Sequence, residues 1–184
     1  ISYLAFYGCT ALQSITIPHN VTKIGEEAFL GCTSLKSIIV PNSVTEIGES
    51  AFRGCTALSS ITIPDSVKKI GYAAFRGCTS LKSIDIPDSV NEINYWAFSL
   101  CTSLTHIICN NPDLFTDQNI QNRDQIQFIS TTDYFNDNYQ ELLNTIEDSG
   151  FNSSHVTSKE LNLIMKLHQQ DYLPNWNTIA TTFN

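Results

Sequence analysis

Apolar residues recur along the first 111 residues at a fixed spacing of 23. Alanine, cysteine, leucine, isoleucine, proline and valine all follow this step, and five phenylalanines mark it most clearly: Phe6, Phe29, Phe52, Phe75 and Phe98. The unit CTSLKSIIVPNSVTEIGESAFRG returns without an insertion over more than four copies. Self-similarity at such a period is the signature of a repeat architecture.

Within each unit, the polar and apolar positions predict three short elements. The pattern Leu-x-x-Ile-x-Ile has the period of two that is typical of a half-buried strand, and the proline that follows ends the strand because it has no N–H to donate. A second extended piece is predicted at Val-x-x-Ile-Gly. Residues 26–31 are predicted to form a brief helical or 3₁₀ turn that places Ala28 and Phe29 inside.

One 23-residue coil is too small to bury its own apolar face. Adjacent coils cover each other and share backbone hydrogen bonds, so such repeats are stable only as a stack. The sequence therefore predicts a solenoid of about five coils with a continuous interior of phenylalanine, leucine, isoleucine and cysteine.

The repeat closely resembles the BspA-type, or Treponema-class, leucine-rich repeat. The resemblance covers residues 1–111 and rests on a set of positions that recur one period away: Cys32, Leu35, Ile38, Val40, Pro41, Val44, Ile47, Gly48, Ala51 and Phe52. It implies a curved leucine-rich repeat solenoid with a parallel β-sheet on its concave face. It also implies a protein-binding role, often as an adhesin at a microbial or protist surface and in other members as a secreted effector.

The outward positions of the predicted strands are the candidate partner-binding site, because the repeat fixes the core and leaves only the surface free to vary. Isoleucine side chains are expected to be exposed there among polar and charged ones. The candidate residues are Lys36, Ile39, Thr62, Lys82, Asp85, His106 and Ile108. The alternative is that they are ordinary exposed strand residues, chosen for β-propensity alone.

Charge disfavours nucleic acid and membrane surfaces as partners. The net charge of −8 is uneven: residues 1–111 hold seven Lys/Arg against eight Asp/Glu, and residues 112–184 hold three against ten. Neither part has the basic stripe that phosphate binding requires. Lys23, Glu46, Lys69 and Glu92 alternate in sign at the coil spacing and are expected to pair along the stack.

The six cysteines are expected to be buried, unreactive residues, five of them in one column at the coil spacing. No clustered Cys/His spacing typical of metal sites occurs, and a disulfide between neighbouring coils is compatible with their separation. Strand alternation points His106 and Cys109 to opposite faces, so they are not expected to form a catalytic pair. No catalytic motif, metal site or cofactor-binding loop is recognised, and we expect no enzymatic activity and no cofactor.

Repetition stops at Asn111–Pro112, and three segments are predicted: repeats at 1–111, a capping segment at 112–131 and a small helical domain at 132–184. Residues 125–130 alternate and are predicted to add a last strand over the end of the solenoid. Beyond them, apolar spacing and a capping box at 157–160 predict helices. Asparagine and glutamine supply 17 of the last 73 residues, a clear change in composition.

Three functions remain open at this stage. The first is a surface or secreted adhesin-like protein that binds a host or matrix protein through the concave sheet. The second is an effector whose acidic helical tail docks on an intracellular protein after delivery to a host, with the repeats as scaffold. In the third, the solenoid is only a spacer that displays the tail.

Overall fold

The computed structural model describes residues 1–131, 133 and 134. Ile1–Ile129 forms one compact unit, a β-solenoid built from the 23-residue repeat. We number the coils 1 to 5 after their core phenylalanines, Phe6 to Phe98, and call residues 112–129 coil 6. The helices predicted beyond residue 134 lie outside the described residues.

Each regular coil contributes one strand to each of two parallel ladders. The two-residue strands form one four-stranded sheet: β1 (Lys23–Ile24), β3 (Glu46–Ile47), β5 (Lys69–Ile70) and β7 (Glu92–Ile93). The three-residue strands form the other ladder: β2 (Ser37–Ile39), β4 (Ser60–Thr62), β6 (Ser83–Asp85), β8 (His106–Ile108) and β9 (Gln127–Ile129). The second ladder consists of two hydrogen-bonded pieces, β2–β4 and β6–β8–β9. Both strands predicted within the repeat are therefore present.

The interior is a continuous column of apolar side chains in which the phenylalanines stack. Successive rings from Phe6 to Phe98 are 5.0 to 5.4 Å apart and 3° to 12° from parallel. The inward isoleucines of β2, β4, β6 and β8, which are Ile38, Ile61, Ile84 and Ile107, are each at most 3% exposed. Identical side chains at a fixed step fill the space between coils identically, and this is why the period is so strict.

The turn at residues 26–31 differs from the prediction, since it is a run of β-turns and not a helix. Its N–H groups alternate: Ala28 donates to Gly25 within the coil at 3.3 Å, and Phe29 donates to Ala51 of the next coil at 2.8 Å. Glu27 and Gly31 adopt the left-handed conformation, with φ of 55° and 73°. A helix would use all of these donors inside one coil, whereas the alternation gives half of them to the stack.

Coil 6 is a shortened and irregular copy. The register pairs His106 with Gln127, a step of 21 residues instead of 23, and two 3₁₀ helices replace the regular turns, Pro112–Leu114 and Arg123–Gln125. Buried Asn119 ties the coil together by donating to Leu114 O at 2.8 Å and accepting from Thr116 N at 2.9 Å. The strand predicted at 125–130 is present as β9.

Candidate functional site

The outward side chains of the three-residue strands, with the residues just before each strand, form one surface, which we call the strand face. Strand pairing places Ile39 beside Thr62 and Asp85 beside Ile108. Lys36 and Lys82 precede β2 and β6 and are exposed. The sequence-predicted site residues therefore lie on adjacent strands of the same ladder.

Exposure along the strand face varies from coil to coil. Ile39 is 41% exposed, although it lies between Thr16 and Thr62 in the ladder. His106 is exposed, and its Nδ1 lies 2.8 Å from Thr105 Oγ1. Thr62 and Asp85 are half-buried. Of the candidate residues, the face therefore offers one apolar side chain, two lysines and a histidine fully to solvent.

Ile108 is not part of the exposed surface, so the prediction that it is exposed is wrong. Only 5% of the residue is accessible. The predicted column ended at this residue, but β9 continues the ladder and places Ile129 directly beside it. The non-repetitive coil 6 thus covers the side of Ile108 that the repeat pattern leaves open.

The prediction that the cysteine column consists of buried free thiols is confirmed for coils 2 to 5. Each Sγ donates to the phenylalanine carbonyl of the preceding coil at 3.1 to 3.2 Å, and no cysteine in the described chain is in a disulfide. Burial raises the pKa of Cys55 and of Cys101 to about 12 and that of Cys109 to about 11. These thiols are poor nucleophiles, since the reactive form is the thiolate. Cys9, in coil 1, differs from the prediction because it is exposed.

The predicted directions of Cys109 and His106 are confirmed. Cys109 is 4% exposed whereas His106 faces solvent, so the two side chains point apart.

The predicted pairing of lysine and glutamate along the stack is also confirmed. Lys23 Nζ lies 3.0 Å from Glu46, and Lys69 Nζ lies 2.9 Å from Glu92. This contact raises the pKa of Lys69 and lowers that of Glu92. The alternating column therefore pairs along the stack as expected.

Sequence reasoning missed an exposed apolar group on the turns of coils 4 and 5. Tyr95, Trp96 and Leu100 are 59%, 46% and 45% exposed. A signal was available for Trp96 and Leu100, because neither residue type occurs at the same position of an earlier coil, whereas Tyr95 repeats Tyr3 and Tyr72. The prediction considered variation only on the strands.

Residues 1–131, 133 and 134 hold neither a cluster of metal-ligating side chains nor a membrane-spanning helix. This part of the chain contains no group of three or more His, Cys, Asp or Glu side chains that could hold a metal ion. It also contains no helix long and apolar enough to span a membrane.

Six copies of the BspA-type leucine-rich repeat region match residues 1–120. The chain belongs to this family. Leucine-rich repeat proteins are generally protein-interaction modules, and their fold is generally non-enzymatic. BspA-type members are often cell-surface or secreted proteins.

Solved structures of other leucine-rich repeat proteins resemble the chain. The T. pallidum leucine-rich repeat protein is 32% identical over 71% of this chain and 61% of its own, with a TM-score of 0.63. A leucine-rich cell surface protein from Faecalibacterium prausnitzii is 31% identical over 65% of this chain and 32% of its own, with a TM-score of 0.56. A Bacteroides ovatus leucine-rich repeat protein is 32% identical over 71% of this chain and 43% of its own, with a TM-score of 0.53.

The chain thus spans less than two thirds of the length of these structures. No curated protein matches it.

Proposed function

We propose that this protein is a non-enzymatic binding module that recognises a protein partner through its strand face. The observation that carries the proposal is a contrast between two kinds of column. The phenylalanine, leucine and inward isoleucine columns of the core repeat the same residue in each of coils 1 to 5, whereas the outward column beside them runs Thr16, Ile39, Thr62, Asp85 and Ile108. A rigid stack that holds varied side chains in register is suited to partner selection, since little interface ordering is then required on binding.

The proposed contact residues are the accessible members of the face: Lys36, Ile39, Thr62, Lys82, Asp85 and His106. Ile39 supplies an apolar contact, and the lysines and His106 supply polar contacts at the edge. Ile108 is not among them, because only 5% of it is accessible.

A surface or secreted location and an adhesin-like role on a host or matrix protein are the finer part of the proposal. They are supported by the family's frequent location and by the F. prausnitzii relative, which is a cell surface protein.

Capture from host-cell lysate and from matrix extract tests the strand face. The test variant is Ile39→Glu/Lys82→Glu, and its matched control is Thr45→Glu/Lys68→Glu, which makes the same change of charge at exposed positions beside the two-residue strands. We expect a partner that the wild type and the control capture and the test variant loses. Equal capture by all three proteins would contradict the proposal, provided that their melting temperatures agree.

The second candidate function, an effector whose acidic tail docks on an intracellular protein, is favoured by the charge of the last segment. Residues 112–184 carry ten acidic residues against three basic ones. Deleting residues 132–184 separates the two functions. Binding that survives the deletion supports the strand face, and binding that disappears supports the tail, with the repeats as scaffold or spacer.

A further inference from the structure

A second surface, which we call the turn patch, lies on the turns of coils 4 and 5. Its exposed apolar members are Tyr95, Trp96 and Leu100. The Tyr72 ring lies 5.4 Å from the Trp96 ring, and the Arg76 guanidinium lies over that ring at 4.8 Å from its centroid. Tryptophan, tyrosine and arginine are the residue types most enriched at the energetic centres of protein interfaces.

The turn patch differs from coils 2 and 3 at all three apolar positions, although the position of Tyr95 also holds tyrosine in coils 1 and 4. In coils 2 and 3 the position of Tyr95 holds Glu26 and Glu49, and the position of Leu100 holds Gly31 and Gly54. Coils 2 and 3 thus present acidic or small residues where coil 5 presents large apolar ones.

Two of these residues are held in an unfavourable backbone conformation. Trp96 and Leu100 have φ of 60° and 61°, in the left-handed region. The coil geometry imposes this conformation, and coils 1 to 4 place glycine at the position of Leu100. A large side chain there strains the backbone and remains 45% exposed, so the fold gains little from it.

Charge next to the turn patch identifies the kind of partner. Arg53 and Arg76 occupy the same position of adjacent coils, and Gly54 N donates to Arg76 O at 2.8 Å. Elsewhere in the stack, lysine and glutamate alternate and pair across the coils. Here two like charges are neighbours, and among the described residues neither arginine forms a salt bridge.

We propose that the turn patch is a second docking surface, which binds an acidic peptide segment of a protein partner. An aromatic or large aliphatic side chain of the peptide packs on Trp96 and Leu100. Its carboxylates pair with Arg53 and Arg76, whose planar guanidinium groups suit bidentate hydrogen bonding. The surface is separate from the strand face, so it stands whether or not the proposed function does.

Selection of a phage-displayed library of random 12-residue peptides on the immobilised full chain tests the proposal. We expect enriched peptides to combine Asp or Glu with an aromatic or large aliphatic residue. For a selected peptide, Trp96→Ala and Arg53→Glu/Arg76→Glu are each expected to weaken the affinity at least tenfold by calorimetry. Leu100→Gly is expected to weaken it several-fold with no loss of melting temperature, because glycine is the residue of the other coils.

The matched control is Lys36→Glu/Lys82→Glu, which reverses two exposed positive charges on the strand face. It is expected to leave the affinity within a factor of two. Three results would overturn the proposal: no enriched peptide, enriched peptides without acidic residues, or an affinity that the control lowers as much as the turn-patch variants do.

Discussion

Ile39 and Ile108 occupy the same position of the repeat three coils apart, yet one is 41% exposed and the other 5%. The difference comes from their neighbours in the ladder, which are two threonines for Ile39 and Asp85 and Ile129 for Ile108. Position in the repeat therefore sets the direction of a side chain, and its neighbours set its burial.

Substitution by glutamate should lower the unfolding free energy strongly at Ile108 and only slightly at Ile39. Ile108→Glu places a charge in a closed environment and is expected to cost about 3–5 kcal/mol of unfolding free energy. Ile39→Glu is expected to stay within about 0.5 kcal/mol of the wild type, as surface substitutions do. Urea unfolding followed by circular dichroism measures both, and equal losses would contradict the assigned exposures.

Because of the buried thiols, the free energy of unfolding is expected to decrease as the pH rises above 9. Burial raises the pKa of Cys55 from 9.0 to about 12, so the folded state keeps a proton that the unfolded state loses. The stabilisation is complete below pH 9 and falls as pH rises toward 12, by about 1.4 kcal/mol per pH unit for each such thiol.

Urea unfolding of wild type and Cys55→Ala at pH 8, 9.5 and 10.5, under reducing conditions, checks this dependence. We expect the wild type to lose stability more steeply with pH than the variant, because the variant lacks one titrating thiol. Parallel pH curves for the two proteins would show that Cys55 ionises equally in both states.

At the scale of the elements, two kinds of glycine shape the turns for different reasons. A Cβ on Gly48 would lie 2.8 Å from Gly25 C and from Glu26 N of the preceding coil. A Cβ on Gly54 would meet only Gly31, at 3.9 Å, but the residue has φ of +71°. The first glycine allows coils to approach closely, and the second allows the chain to turn.

Alanine at these two positions is expected to cost different amounts. Gly54→Ala should lose about 1–2 kcal/mol, the cost of a left-handed L-residue. Gly48→Ala should lose about 3 kcal/mol, because backbone atoms cannot move aside. Chemical unfolding measures both, and a larger loss for Gly54→Ala would reverse the assignment.

The sequence predicted those elements that depend on the repeat alone. Alternation around Ile38 located the long strands, and the Ile47 column located the short ones. It did not predict the β-turns at residues 26–31, because their hydrogen bonds are divided between coils and a pattern within one coil resembles a helical turn. Nor did it predict the burial of Ile108, which depends on the non-repetitive β9.

The placement of residues on the surface was predicted where it follows the repeat and missed where it does not. Register in a parallel stack follows from the period, so the strand-face residues were correctly placed on neighbouring strands. The turn patch was missed because Trp96 and Leu100 occupy positions where most coils carry small or charged residues, and such exceptions have no period.

At the scale of the whole molecule, the area of the strand face limits its affinity. The strand face comprises six strand positions that are spaced by about 4.8 Å along the stack. Each position, with its flanking residues, is about 17 Å long, so the area of the face is roughly 500 Å². A standard interface buries about 800 Å² on each partner. A tight complex therefore requires contacts beyond the strand face, and the turn patch is one surface that supplies them.

Site-specific photo-crosslinking tests the central claim, that the strand face contacts a protein partner, most directly. A photoreactive phenylalanine analogue is placed at Ile39, or at Thr45 as control, and the chain is irradiated in host-cell lysate and matrix extract. We predict a crosslinked protein from position 39 that is absent from position 45. A partner crosslinked from position 45 and not from position 39, or no crosslink from position 39, would contradict the account.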